Sequence, residues 1–118
     1  MQHATVTANG LETRYLRCGA GPTVVLLGGD ADLAESLGQG FRVLAMEARD
    51  EADWLRGVFD GLGIGDAVLL ATPRFAERAQ LFAAEEPERV RGVVLLPAAN
   101  RRESDCARLS EAIARYFG

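Results

Sequence analysis

Lysine is absent from this sequence, and histidine and cysteine are scarce. All 13 basic residues are arginine, and the 118 residues include one histidine and two cysteines. The formal net charge of −4 offers no basic surface of the kind that non-specific nucleic-acid binders carry. Cys18 and Cys106 lack the spacing of metal ligands, so we expect free, partly buried thiols, while a disulfide stays open. We predict neither a metal nor a cofactor, and no nucleic-acid partner.

Targeting and membrane-spanning patterns are also missing. The N-terminal residues do not combine a basic segment with an apolar one, as a signal peptide does. Apolar runs such as residues 24–27 are far too short to cross a bilayer. With 48% hydrophobic and 25% charged residues, the composition is that of a globular chain. We therefore predict a cytoplasmic protein with no membrane partner and one domain over residues 1–118.

The residues that are present alternate between strand and helix patterns. Two β-rich segments, residues 5–8 and 12–17, flank Asn9-Gly10, a pair that favours a two-residue hairpin turn. Further strand patterns lie at 23–29, 41–47, 66–71 and 92–97, and helical patterns lie at 31–37, 51–62, 73–86 and from about 105. This alternation predicts a three-layer α/β/α fold, whose sheet of about six strands is mostly parallel with an antiparallel N-terminal hairpin.

Capping residues and apolar spacing define the helices further. Asp50 is placed to cap the second helix, with Asp53 at the capping-box position. Thr72 is a natural N-cap of the third helix, with Pro73 as its first residue. The apolar stripe of the second helix is Trp54, Leu55, Val58, Phe59 and Leu62, and that of the last helix is Leu109, Ile113, Tyr116 and Phe117.

Three stretches carry a resemblance to the α/β-hydrolase family. The stretch "NGLETRYLRCGAGPTVVLLGG" resembles that family's opening hairpin, its Gly-Pro turn and a strand that ends in a His-Gly pair. The stretch "FRVLAMEARD" resembles its fourth strand, and "PERVRGVVLL" resembles its approach to the sixth strand. The resemblance covers the chain to about Ala99. It implies a truncated hydrolase-like fold, because the family's later strands have no counterpart here.

The resemblance places the family's nucleophile at Pro73. The motif G-x-S-x-G reads Ala71-Thr72-Pro73-Arg74-Phe75, so all its defining residues differ. A nucleophile elbow holds its serine in a strained turn, whereas proline fixes φ near about −65°. Phe75 would also crowd the space that the family's glycine leaves open. We therefore expect an ordinary entry into the helix, with Thr72 as its cap, and no catalytic residue.

The rest of the family's machinery is missing as well. Gly28-Gly29 stands where the family has the His-Gly pair that shapes its oxyanion-hole loop. The family's acid and histidine follow the serine along the chain, but His3 is the only histidine and precedes the first predicted strand. Thr72 is an alternative nucleophile, yet without a neighbouring base its hydroxyl favours a capping role.

Polar residues follow the parallel strands at their carboxyl ends, where ligands bind in open α/β sheets. A rim of this kind would take a small molecule, or a metal through its carboxylates. The alternative interpretation is that these residues are solvated loop ends, since they show no metal-like spacing. The candidate rim consists of Asp30, Glu47, Arg49, Thr72 and Arg74, with Asp50 and Arg101 close to the same strand ends.

The last predicted strand would lie at an edge of the sheet, and a long apolar edge invites pairing with another chain. Either the terminal helix or a second subunit would cover it, and a symmetric dimer is the commonest assembly. We predict an inactive hydrolase-like protein that assembles as a homodimer, or with a partner protein, through this strand and the C-terminal helix. One alternative is a small hydrolase or lyase that uses residues such as Asp30, Glu47 and Arg74. Another is a partner chain that supplies the missing strands and histidine.

Overall fold

The computed structural model describes residues 2–8, 10–28, 31–47, 53–95 and 103–117. Within these residues the chain forms six strands and four α-helices, and a 3₁₀ turn, Pro73–Phe75, precedes the third helix. The elements are β1 (Gln2–Ala8), β2 (Leu11–Cys18), β3 (Thr23–Leu27), α1 (Ala31–Leu37), β4 (Arg42–Met46), α2 (Trp54–Leu62), β5 (Ala67–Ala71), α3 (Ala76–Glu85), β6 (Val90–Leu95) and α4 (Glu103–Phe117).

The strands form one mixed sheet in the order β1-β2-β4-β3-β5-β6. Strand β2 is antiparallel to both of its neighbours, β1 and β4. Strands β4, β3, β5 and β6 run parallel to one another. Ala8 pairs with Leu11, and Gly10 has a φ of 78°, which glycine adopts at low cost. The predicted mostly parallel sheet with an antiparallel N-terminal hairpin is confirmed.

Helices cover the sheet on both faces. On one face, α2 and α3 bury the predicted stripe of α2, and the Phe59 and Phe82 rings lie 5.0 Å apart between their centroids. On the other face, α1 and α4 pack on alternate residues of the same strands, with Leu109 and Ile113 contributed by α4. All five residues of β5 are buried, as expected for a strand covered on both sides. The predicted three layers are therefore confirmed.

One buried polar contact ties the hairpin to α2. Thr13 on β2 and Trp54 at the start of α2 are both fully buried, and the Trp54 Nε1–H donates to Thr13 Oγ1 at 2.8 Å. A buried indole N–H without an acceptor would be costly, so this bond fixes where α2 begins.

The start of α2 differs from the sequence prediction. The helix begins at Trp54 with Asp53 before it, so Asp53 does not occupy a capping-box position within the helix. Asp53 has a φ of 63° and makes no side-chain cap hydrogen bond, because its carboxylate accepts from Arg56 instead. Asp50 itself lies outside the described residues. At the other end, Gly63 closes the helix in a left-handed conformation, as predicted.

The cysteine prediction is confirmed for one of the two residues. Cys18 at the end of β2 is a free thiol and half-buried. The Cys106 side chain lies outside the described part of the chain.

Candidate functional site

The segment that follows β5 is where the resemblance places a nucleophile elbow. Thr72 has extended backbone angles, φ −70° and ψ 160°, and Pro73 opens the 3₁₀ turn. Asp53 is the only described non-glycine residue with a positive φ, so none of residues 71–75 has the strained conformation of an elbow. The backbone here therefore does not project a side chain above the sheet as an attacking group.

Thr72 occupies the predicted N-cap position but does not cap with its side chain. Its backbone carbonyl accepts from the Phe75 N–H at 2.9 Å, while its hydroxyl donates to the Leu27 carbonyl oxygen at 3.5 Å. The prediction of a side-chain cap is wrong, because the neighbouring strand β3 offers the hydroxyl an acceptor. The α-helix itself begins only at Ala76, after the 3₁₀ turn.

No histidine lies near this hydroxyl. His3 is exposed on β1, at the far edge of the sheet. Four strand spacings separate β1 from β5, which amounts to about 19 Å. A general base must lie within hydrogen-bond reach of the proton that it takes, so His3 does not activate Thr72.

Phe75 fills the space above the end of β3. Its ring is buried and packs against Gly28, which has a φ of 77°. A Cβ atom at position 28 would lie 2.9 Å from Phe75 Cδ2 and 2.8 Å from Thr72 Oγ1, closer than real Cβ contacts allow. The glycine at position 28 and the phenylalanine at position 75 therefore depend on each other. A side chain at position 28, such as the histidine of the family that the sequence resembles, would require Thr72 or Phe75 to shift.

Two of the five rim residues predicted from the sequence, Asp30 and Arg49, lie outside the described residues. Glu47 is exposed just after β4, and Arg74 is exposed with its guanidinium 5.2 Å from the Phe75 ring centroid. Thr72 is half-buried beside Leu27. Glu47 and Thr72 follow strands that both pair with β3, and Gly28 at the end of β3 lies beside Thr72.

Glu47 borders an open groove of about 780 Å³, which is lined by the hairpin strands β1 and β2, by β4, and by Gly28 after β3. Its backbone N–H donates to the Arg14 carbonyl oxygen at 3.2 Å, and Arg14 in turn pairs with Thr5 on β1. The three side chains form one polar row across β1, β2 and β4. The described residues that line the groove are His3, Ala4, Thr5, Arg14, Tyr15, Leu16, Gly28, Ala45, Met46 and Glu47.

The sequence prediction missed Arg14, Thr5 and His3 as groove residues. A signal for them exists in the hairpin turn, because pairing Ala8 with Leu11 places Thr5 opposite Arg14. Their proximity to Glu47 depends on β2 lying next to β4, a pairing that the pattern of elements alone does not specify.

The main charge cluster of the described residues lies away from both regions, between α2 and α3. Arg56 donates from Nε to Glu86 at 2.8 Å and from its other nitrogens to Asp53 at 2.9 Å and Glu85 at 3.2 Å. The bond from Arg56 holds the pKa of the Glu86 carboxyl below its ordinary value, and the same bond raises the pKa of Arg56. The bonds to Glu85 and Glu86 join α2 to the C-terminal end of α3.

A second open region lies where α4 meets β6. A groove of about 470 Å³ is lined by Val93, Val94, Leu95, Ala112, Arg115 and Tyr116. Leu95 and Tyr116 expose 49% and 43% of their surface. Tyr116 was expected on the apolar side of α4, and its ring does pack on Gly92, although much of it faces solvent.

Arg91 anchors the end of α4 to the start of β6. Its Nε donates to Asp66 at 2.7 Å, and its Nη1 donates to the Tyr116 carbonyl oxygen at 3.2 Å. The guanidinium also lies 5.4 Å from the Phe117 ring centroid. The position of α4 along β6 is therefore held by specific contacts.

Metal-binding clusters and membrane-spanning helices are both absent from the part of the chain that the structure covers. Among its described residues, no group of three or more histidine, cysteine, aspartate or glutamate side chains is arranged to hold a metal ion. None of the described helices has the length and apolar character needed to cross a membrane.

Comparisons with known proteins identify the fold. No protein-family model matches the chain, and no curated protein matches it in sequence. Among solved structures, a meta-cleavage product hydrolase matches with a TM-score of 0.70 at 24% identity, over 79% of this chain and 44% of that one. A haloalkane dehalogenase of Bradyrhizobium elkani matches at 0.68 and 22% identity, over 80% and 40% of the two chains. An epoxide hydrolase of Vigna radiata matches at 0.64 and 23% identity, over 92% and 46%.

These likenesses establish the fold alone, since each identity is below 25%. The α/β-hydrolase fold that the sequence resemblance implied is confirmed. The chain spans less than half the length of each of these structures.

Proposed function

We propose that this chain is an α/β-hydrolase-fold protein without hydrolytic activity, which acts by binding and assembly, and chiefly by self-association. The observation that carries the proposal is the packing of Phe75 on Gly28, where catalysis in this fold would need a nucleophile and an oxyanion-hole loop.

Four features support the absence of acyl transfer. Pro73 stands at the nucleophile position, and the backbone around it lacks the elbow's positive φ. The Thr72 hydroxyl is directed to a backbone carbonyl, and the one histidine of the sequence lies four strands away. Without a neighbouring base, a threonine hydroxyl is a weak nucleophile.

Self-association is supported by the edge of the sheet at β6. Among the described residues no strand pairs with the outer side of β6, and of the six residues of β6 only Val90 is buried. Soluble proteins usually cover or charge an edge of this kind. A second copy would cover it and would also bury Tyr116.

The catalytic part of the proposal is tested by ester hydrolysis. Purified protein is incubated with p-nitrophenyl acetate and butyrate, with the Thr72→Ala variant as a matched control. We expect the rate of the wild-type protein to equal that of the variant. Turnover that is lost in Thr72→Ala would overturn the claim of inactivity. The assembly part is tested by light scattering, which should give twice the chain mass of 12.7 kDa.

A second candidate function rests on the groove beside Glu47. Its volume suits a small molecule, and it combines the exposed Arg14 and Glu47 side chains with apolar contacts from Leu16 and Met46. The protein would then be a small-molecule binder, or a hydrolase or lyase that uses Glu47 with Asp30 or Arg74. Loss of a bound metabolite in Arg14→Ala, detected by mass spectrometry of the native protein, would favour this candidate.

A third candidate function is hydrolysis by a complex of this chain with a partner chain. A partner chain would add strands beyond β6 and supply a histidine. Phe75 argues against it, because it fills the space above Gly28 whatever lies beyond the edge. Activity that appears only after co-purification with a partner would support it.

A further inference from the structure

We infer that β6 pairs antiparallel with β6 of a second copy about a two-fold axis, and that the two α4 helices then lie side by side with Glu111 of each opposite Arg115 of the other. This inference rests on the proposed self-association and specifies its interface.

The edge of β6 provides the backbone groups for such a pairing. β6 bonds to β5 on one side over Val90–Leu95, in parallel register. On the other side, no described strand takes the N–H and C=O groups that point outward. An antiparallel partner strand satisfies these groups and extends the sheet continuously.

The groove beside α4 provides the side-chain contacts. Ala112, Arg115 and Tyr116 face the same groove as Val93–Leu95 of β6, so this side of α4 borders the open edge. Tyr116 reaches over Gly92, where a side chain on the strand would collide with its ring. Together the apolar edge and the exposed tyrosine form one continuous patch.

The charges on α4 favour a second copy as the occupant, in antiparallel orientation. Glu111 and Arg115 are both exposed and lie one turn apart, on the same side of the helix. When two such helices run antiparallel about a two-fold axis, each glutamate faces the other copy's arginine, and two ion pairs form. A parallel arrangement would oppose like charges. The surface is thus complementary to itself, as an isologous interface requires.

Symmetry adds a restriction on the register. A two-fold axis perpendicular to the sheet keeps each face of the sheet on the same side in both copies. Paired residues must then point to the same face, so they differ by an even number, and one residue of β6 must lie opposite itself. We expect this residue within 93–95, where the side chains are half-buried or exposed.

The first experiment exchanges the two charges. Glu111→Arg and Arg115→Glu should each raise the dissociation constant of the dimer about tenfold, because each replaces two attractive contacts by two repulsive ones. The double variant should return to within about twofold of the wild-type value. Glu35→Arg, at an exposed position on α1, is the matched control and should have no effect.

The second experiment tests the register. In a Cys18→Ser, Cys106→Ser background, single cysteines are placed in turn at residues 93–95 and oxidised mildly. A cysteine opposite itself in an antiparallel pair has a geometry that a disulfide accepts, so one position should cross-link far more than its neighbours. Leu81→Cys on α3, which is equally exposed, should give no cross-linked dimer.

The outcomes separate this inference from the function on which it rests. A wild-type chain that stays at 12.7 kDa would overturn both the self-association and the interface. A dimer in which the charge exchange is not rescued, and in which no single position cross-links preferentially, would overturn the interface alone. Rescue together with one preferred cross-link would establish it.

Discussion

The carboxyl end of β5 and the outer side of β6 are close neighbours in the sheet, yet they are packed in opposite ways. Every residue of β5 is buried, and Phe75 continues that packing beyond the strand by covering Gly28. Along β6, in contrast, only Val90 is buried, and Leu95 exposes 49% of its surface. The region where this fold would carry out chemistry is closed, and the region where its sheet would continue is open. This difference favours binding over catalysis.

The largest expected effect comes from opening the closed region. Phe75→Ala removes a buried ring from the junction of β5, β3 and α3, and we expect it to lower the free energy of unfolding by about 3–4 kcal/mol. The measurement is urea denaturation followed by Trp54 fluorescence. Ester turnover should remain absent, because Pro73 still prevents an elbow. A loss below about 1 kcal/mol would show that Phe75 does not close this end of the sheet.

A smaller loss of stability is expected when an extra methyl group is added where Phe75 packs on Gly28. Gly28→Ala places a methyl group against Phe75 and Thr72. Gly10→Ala is the matched control, because Gly10 has nearly the same positive φ as Gly28, 78° against 77°, but no atom lies within 4 Å of the new Cβ. We expect Gly28→Ala to cost about 2 kcal/mol more than Gly10→Ala in urea denaturation. Because the φ strain is shared, equal losses would contradict the packing of Phe75 on Gly28.

Substitutions in the open region at β6 should change the dissociation constant of the dimer and leave the free energy of unfolding nearly unchanged. Leu95→Asp and Leu81→Asp change two leucines of nearly equal exposure, 49% and 47%. Each should change the free energy of unfolding of the monomer by about 0.5 kcal/mol or less. Only Leu95→Asp should raise the dissociation constant of the dimer, at least about tenfold, because it places an unpaired charge in the interface. Sedimentation at several protein concentrations measures this, and an equal response of the two variants would contradict an interface at β6.

The smallest effect on stability is expected when acid protonates Glu86 and weakens its ion pair with Arg56. The pKa of Glu86 is lowered from its ordinary value of 4.5, chiefly by the bond from Arg56. The contribution of Glu86 to stability is therefore fully present above pH 4.5. It is lost as the pH falls through the pKa of the folded state. Glu86→Gln should flatten this part of the pH dependence of the thermal midpoint, whereas Glu35→Gln should not. An unchanged slope in Glu86→Gln would show that the α2–α3 ion pair does not contribute.

Most of the fold could be predicted from the sequence, because short-range signals determine it. The Asn9-Gly10 pair indicated the hairpin, and continuous apolar runs indicated strands buried on both faces. The start of α2 could not be predicted in this way. It depends on a bond between Trp54 and Thr13, which are 41 residues apart, and on Arg56, which takes the Asp53 carboxylate away from a capping role.

The candidate site was harder to predict than the fold. The loss of the elbow at Pro73 follows from the residue itself, since its ring restricts φ. The role of Thr72 depends on the Leu27 carbonyl in a neighbouring strand, and the surroundings of Glu47 depend on Arg14 across the β2–β4 pairing. Such contacts between strands arise from topology, and local sequence patterns do not contain them.

The central claim is that the segment after β5 presents no nucleophile, and covalent labelling tests it most directly. The protein is exposed to an alkyl fluorophosphonate, and its intact mass is then measured, with peptide mapping of residues 71–75. The closed arrangement of Thr72 and Phe75 predicts an unchanged mass of 12.7 kDa. A single adduct on Thr72 would contradict the account.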